Sequence, residues 1–200
     1  MSPDPSPART LPADLRPSRA HRRFLRTLGA LMLPQEAEAY QPVASLVLRS
    51  SLWRVLEQHL ATAGEVRSGV LLGEHRGSAL QITHLLPSGY PPALCAHDPL
   101  ALDPGYVLGA VDAGRQGGAG PLDWVGHWVI PADGQAPALG WSLRLFRQAQ
   151  RRALVGPDTP LLLAGQGAAG PVLRALVPDP DTREPSPLPI SWATRQETPE

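Results

Sequence analysis

The chain has 200 residues, a formal net charge of zero and only 18% charged residues, which excludes the strongly basic footprint that nucleic-acid binding needs. No stretch approaches the ~20 apolar residues of a membrane-spanning helix, and the one cysteine, Cys95, leaves neither an intrachain disulfide nor a cysteine-rich zinc cluster and fits a cytoplasmic protein. All 18 basic residues are arginine, so no lysine is available for Schiff-base chemistry.

Residues 1–41 read as an extension outside the compact domain. Five prolines and few apolar groups in 1–18 predict a segment that buries too little to order itself. Arg19, Arg22, Arg23 and Arg26 then precede a weak apolar run, Leu28–Leu33, which ends at Pro34 and is too short for the core of a secretory signal. Residues 19–33 form either a short basic helix or a loosely docked tail.

The domain is expected over 42–178. VASLVLR (43–49) reads as a strand. SSLWRVLEQHLATAG (50–64) reads as a helix that Ser50 or Ser51 can cap, with Leu52, Val55, Leu56 and Leu60 as its apolar stripe and Gly64 at its end. SGVLLG (68–73) and ALQITHLL (79–86) are two strands joined by the turn GEHRG. After a loop from Pro87 to Pro99, Asp103 caps a helix that has Pro104 at its first position. LDWVGHWVI (122–130) is a strand. GWSLRLFRQAQRRAL (140–154) is an amphipathic helix with Leu143, Phe146, Ala149 and Ala153 or Leu154 facing inward. TPLLLAG (159–165) and PVLRALV (171–177) are two further strands, with the glycine pattern GQGAAG (165–170) read as the turn between them. Residues 179–200 are proline-rich and read as a tail, with Trp192 as the residue that pins it to the body. The order of strands and helices predicts an α/β fold, a mixed β-sheet flanked by helices.

The stretch GHWVIPADGQAPALGW (126–141) has the shape of a catalytic loop: a strand that ends at a proline, a turn of small and polar residues, and a helix start. With the element order, with the GVLLG strand (Gly69–Gly73) and with the preceding glutamate, it resembles the MPN/JAB (JAMM) superfamily over about Leu46–Val177. Active members of that family carry His-x-His-Pro, then six residues, then Ser-x-x-Asp. Anchored on Pro131, the two histidine positions fall on Trp128 and Ile130, the serine position on Ala138 and the aspartate position on Trp141. The resemblance implies the cytidine deaminase-like three-layer arrangement of that family. It also implies what is missing. Alternate strand residues share a face, so histidines at 128 and 130 would aim two imidazoles at one metal. A zinc ion there would hold a water of lowered pKa. Tryptophan and isoleucine supply no such donor, and Ala138 has a methyl where the oxyanion-stabilising hydroxyl would be.

Glu65, the weak candidate for the catalytic base, stands one residue too far from Gly69, and Val66 occupies the matching place unless a bulge shifts the strand. Substitute ligands were sought in His127, Asp133, His84, His75, Cys95 and His97. His127 should point to the other face by strand alternation, and none of these shows a recognised zinc spacing.

Trp128, Ile130 and Trp141 are therefore expected to fill a former zinc pocket, with either tryptophan alternatively serving as an anchor for a partner. The reading that follows is a catalytically degenerate, non-catalytic MPN/JAB-like protein, with no metal or cofactor, that acts as a protein-binding or scaffold module. What the resemblance implies for partners is another MPN-like domain or a second copy of the chain, with a ubiquitin-like protein as a further candidate. The competing reading is a divergent zinc metallopeptidase or isopeptidase with non-standard ligands. Small-molecule binding is a third, for which no dedicated polar groups are legible.

Overall fold

In the computed structural model the described residues are 42–62, 64–89, 98–117 and 122–193. The N-terminal extension, Cys95 and His97 lie outside them. The elements, in chain order, are β1 (Ser45–Arg49), α1 (Leu52–Ala61), β2 (Arg67–Arg76), β3 (Ala79–Pro87), α2 (Pro104–Gln116), β4 (Asp123–Ile130), α3 (Leu139–Arg151), β5 (Leu161–Gly167), β6 (Gly170–Pro178), β7 (Pro185–Leu188) and β8 (Ile190–Ala193).

The eight strands form one mixed sheet in the order β7-β6-β5-β4-β2-β3-β1-β8. The β2–β3, β2–β4, β5–β6 and β6–β7 pairs are antiparallel, and the β1–β3, β1–β8 and β4–β5 pairs are parallel. β7 and β8 lie at opposite ends of this order although Pro189 alone separates them in the chain. The sheet therefore curls until one continuous segment serves both of its margins, and it is nearly closed. Both margin strands are only four residues long, which shortens the row of unpaired backbone groups at each edge.

Apolar residues line both faces. β4 contributes to two cores: Val129 lies in one and Trp128 and Ile130 in the other, while a register shift at Val125 puts Trp124 in the core of Val129. Leu52 and Leu56 of α1 join the core that holds Trp128, as do Leu46, Leu48, Leu71, Leu80, Ile82 and Leu162. Val107 and Val111 of α2, with Leu145, Phe146 and Ala149 of α3, join the other. Helices thus lie on both faces of the sheet. The α/β class and the mixed sheet agree with the sequence reading.

The helix ends follow local chemistry in one case and not in another. Asp103 accepts a hydrogen bond from the Tyr106 backbone N–H at 3.0 Å, with Pro104 where its missing donor costs nothing. Ser51 stands at the start of α1 but makes no side-chain cap bond, and α1 stops at Ala61, short of Gly64. In α3 the buried residues are Ser142, Leu145, Phe146 and Ala149, with Leu143 only partly buried. The expected series of steps of three from Leu143 lags the 3.6-residue turn, and the true stripe keeps pace with it.

The proline-rich end supplies two strands. Pro185 and Pro187 sit in β7, which pairs only with β6 and so can spare the missing N–H groups. In β8, Ile190 and Trp192 pack against the α1-side core, and the Trp192 ring meets Trp53 edge-on at 5.4 Å. Trp192 is thus the pin the sequence suggested. A chain truncated after Pro178 should lose the partly buried Leu188, Ile190 and Trp192, and with them about 3 kcal/mol or more of stability. Urea unfolding measures this, and an unchanged midpoint would show that the margin segment contributes nothing.

Candidate functional site

The candidate site lies where β4 ends, β2 begins and α1 finishes. Antiparallel pairing sets Arg67 opposite Ile130 and Gly69 opposite Trp128. Directly paired residues project to the same side of a sheet. Arg67, Trp128 and Ile130 therefore share the face covered by α1, which adds His59, whose ring centre lies 5.0 Å from that of Trp128.

Trp128 is 2% exposed and Ile130 is fully buried. The indole N–H of Trp128 donates to the Leu86 carbonyl oxygen at 3.1 Å. A glycine at 69 makes this possible. A Cβ there would overlap the Leu86 carbonyl and stand 2.8 Å from the indole nitrogen. At such exposure Trp128 fills the interior and offers no surface to a partner.

The loop that follows is held by backbone bonds. The Pro131 carbonyl accepts from the Gly134 N–H at 2.9 Å and from Nη2 of Arg67 at 3.2 Å. The Ala132 carbonyl accepts from the Gly64 N–H at 3.0 Å. Gln166 of β5 donates to the Gly134 carbonyl and accepts from the Ala136 N–H, at 2.7 and 2.9 Å. This close approach requires a glycine at 165, since a Cβ there would overlap the Gln135 carbonyl. The GQGAAG pattern thus holds more than a turn: its first glycine lets the loop lie along β5. Asp133 is exposed and accepts from the Gln135 N–H at 3.0 Å, which shapes the turn.

The other motif positions do not join Trp128 and Ile130. Ala138 is the exposed residue before α3 and makes no side-chain cap; its carbonyl accepts from Oγ of Ser142 at 3.1 Å. Trp141 is partly buried against the core on the opposite face, as is Val66. The three apolar groups expected to fill one pocket are thus divided between the two cores. The reason is the phase of α3, which places Trp141 one turn before Leu145 on the same stripe. Glu65 is exposed in the bend before β2.

The histidines are scattered. His127 is fully buried and its Nε2 lies 3.4 Å from the Pro99 carbonyl, away from Trp128 and Ile130 as alternation requires. His84 is exposed beside Thr83, and His75 lies in β2. Among the described residues no three His, Cys, Asp or Glu side chains converge as a metal site. Nor is any described helix long and apolar enough to cross a membrane.

Two residues of the site were not singled out in the sequence. Arg67 is partly buried, and of its nitrogens only Nη2 has a partner. Its legible signal was position: two residues before Gly69, it must share that glycine's face. His59 lies three residues after Leu56 and seven after Leu52, on the buried stripe of α1, where a titratable ring is unusual company.

No protein-family model matches the chain, and no curated protein does either. Among solved structures it is similar to the solution structure of protein DSY2949 from Desulfitobacterium hafniense, with 17% identity and a TM-score of 0.52. The match covers 76% of this chain and 95% of that one. At this identity the likeness is one of fold.

Burial first, and the Arg67 charge second, hold the His59 imidazole below its ordinary pKa of 6.5. The unfolded chain therefore takes up a proton that the folded chain refuses until lower pH. Stability rises with pH wherever the unfolded state binds more protons. The penalty from His59 is absent well above 6.5, grows as pH falls through that value, and is complete below the folded pKa. The loss of urea stability between pH about 7.5 and about 5.5 should accordingly be smaller in His59→Gln than in the parent protein. Equal losses in the two proteins would contradict this account of His59.

Proposed function

We propose that the chain is a catalytically inactive MPN/JAB-like (JAMM-like) protein that acts by binding another protein. The observation that carries the reading is the filling of the two strand positions where that scaffold would present its imidazoles: Trp128 and Ile130 are buried, side by side, in an apolar core. The scaffold assignment is supported by the succession of elements from β1 to β6, by a β4 that ends at Pro131, and by a loop that leads into α3 two residues before Trp141. Helices on both faces of the sheet suit the three-layer arrangement of that family.

Inactivity follows from the chemistry of the side chains. An indole N–H that already donates to a carbonyl has no lone pair to offer zinc, and an isoleucine has none at all. Without the ion, no bound water is acidified near neutral pH. The methyl of Ala138 replaces the hydroxyl that would stabilise an oxyanion. Binding is the remaining use of such a scaffold. The surface for it lies at the start of α3, where Leu139 is 64% exposed beside the partly buried Trp141. The partner is a second copy of the chain or another MPN-like domain.

The purified protein, incubated with excess zinc and desalted, should retain far less than one ion per chain and show no peptidase activity. Its mass in solution should exceed the 21.4 kDa of the monomer, or a protein partner should copurify, and Leu139→Asp should break either association. One retained zinc per chain, removed by a chelator together with peptidase activity, would overturn the inactive reading. A monomer that captures no protein would overturn the binding role.

A further inference from the structure

We propose that Arg67, set beside His59, Trp128 and the Pro131 carbonyl where β2 begins and β4 ends, binds the carboxylate of a ligand. This rests on the surroundings of Arg67 and not on the scaffold assignment above.

The first observation is a cation that makes no ion pair among the described residues. Nη2 of Arg67 donates to the Pro131 carbonyl at 3.2 Å, while Nε and Nη1 are buried and have no partner. Four ion pairs join described residues elsewhere, through Arg76, Arg115, Arg147 and Arg152, and none includes Arg67. Asp133, in the loop that Arg67 bonds, accepts from the Gln135 N–H, and Glu65, two residues before Arg67 in the chain, is exposed. A guanidinium carries five donors in a planar fork. Leaving buried donors unmade is costly, and more so where the group is charged.

The second observation is the company the charge keeps. Arg67 shares its face with the buried Trp128 and Ile130, which cannot solvate it. Burial lowers its pKa from the ordinary arginine value, and its charge helps to keep His59 neutral. Among the described residues, the positive charge of this site is therefore not compensated by an ion pair. A planar monoanion matches both that charge and the fork of donors. Phosphate, with nearly two negative charges near neutral pH, would exceed it. The Arg67 side chain as a whole is only partly buried, although its Nε and Nη1 are covered.

The same carboxylate chemistry is found in a free organic acid and at a peptide C-terminus, and one experiment separates them. The Nε–H resonance of Arg67 is identified in the NMR spectrum by its absence from Arg67→Lys. The full chain is then titrated with acetate, with acetamide, and with an N-acetylated tripeptide of alanine bearing either a free or an amidated C-terminus. Acetate should shift that resonance saturably, and acetamide should not. Saturation should also raise the pKa of His59, because the bound anion cancels the charge that opposes imidazole protonation. A packing role for Arg67 alone would leave that pKa where it is. Tighter binding of the free-carboxylate tripeptide than of acetate, by tenfold or more, assigns the site to a peptide terminus; equal or weaker binding assigns it to a small acid. If neither carboxylate moves the Arg67 resonance, or if the amides move it equally, the proposal is wrong. The titration itself is made on the parent protein, and Arg67→Lys serves only to assign the resonance.

Discussion

The indole of Trp128 reaches the Leu86 carbonyl only because residue 69 carries no side chain. Much of the site depends on that fit. The indole covers the bare backbone of Gly69, satisfies a carbonyl near the end of the β2–β3 ladder, and leaves its ring against His59. Burying so large an aromatic group stabilises the joint between β4 and α1, and its N–H requires a partner in return. A metal-binding end of a strand would need the opposite properties: open donors, water and a vacant coordination position. The two designs exclude each other at the same backbone position.

The hydrogen bonding of the neighbouring loop is consistent with this. Its carbonyls and N–H groups are taken up by Gly64, Arg67 and Gln166, and Gly165 gives it room to lie against β5. The loop thus brackets neighbouring strands. Among the described residues at this end of the sheet, Arg67 keeps two buried nitrogens without a partner, and the proposed recognition of a carboxylate rests on them.

The sequence made the strands and helices legible where the periods are clean: Trp128, Val129 and Ile130 alternate between the two cores, although an irregularity at Val125 breaks that phase earlier in β4, and α1 keeps Leu52 and Leu56 inward. It also placed Trp128 and Ile130 on one face and His127 on the other. Three features were hidden for physical reasons. Prolines concealed β7 and β8, since proline argues against a strand except at a margin, and only the closed sheet shows that these are margins. Trp141 was grouped with Trp128 by motif spacing, whereas the turn of α3 carries it to the other core. Local periods put Arg67 on the face of Gly69 and His59 on the buried stripe of α1, but that both meet the Trp128 side of β4 follows from the β2–β4 register and the packing of α1, which are tertiary facts.

The claim on which the account turns is that the Trp128 indole is shut away from water and bonded to the chain. Hydrogen exchange at the tryptophan indole N–H groups, followed by NMR, tests it most directly. Trp128 should exchange slowly, alongside Trp124, whose N–H donates to the Gly126 carbonyl at 3.0 Å in the opposite core. The indole of the exposed Trp53 should exchange fast. Fast exchange at Trp128 with Trp124 still protected would mean that the end of β4 is open to solvent, and the apolar filling described here would be contradicted.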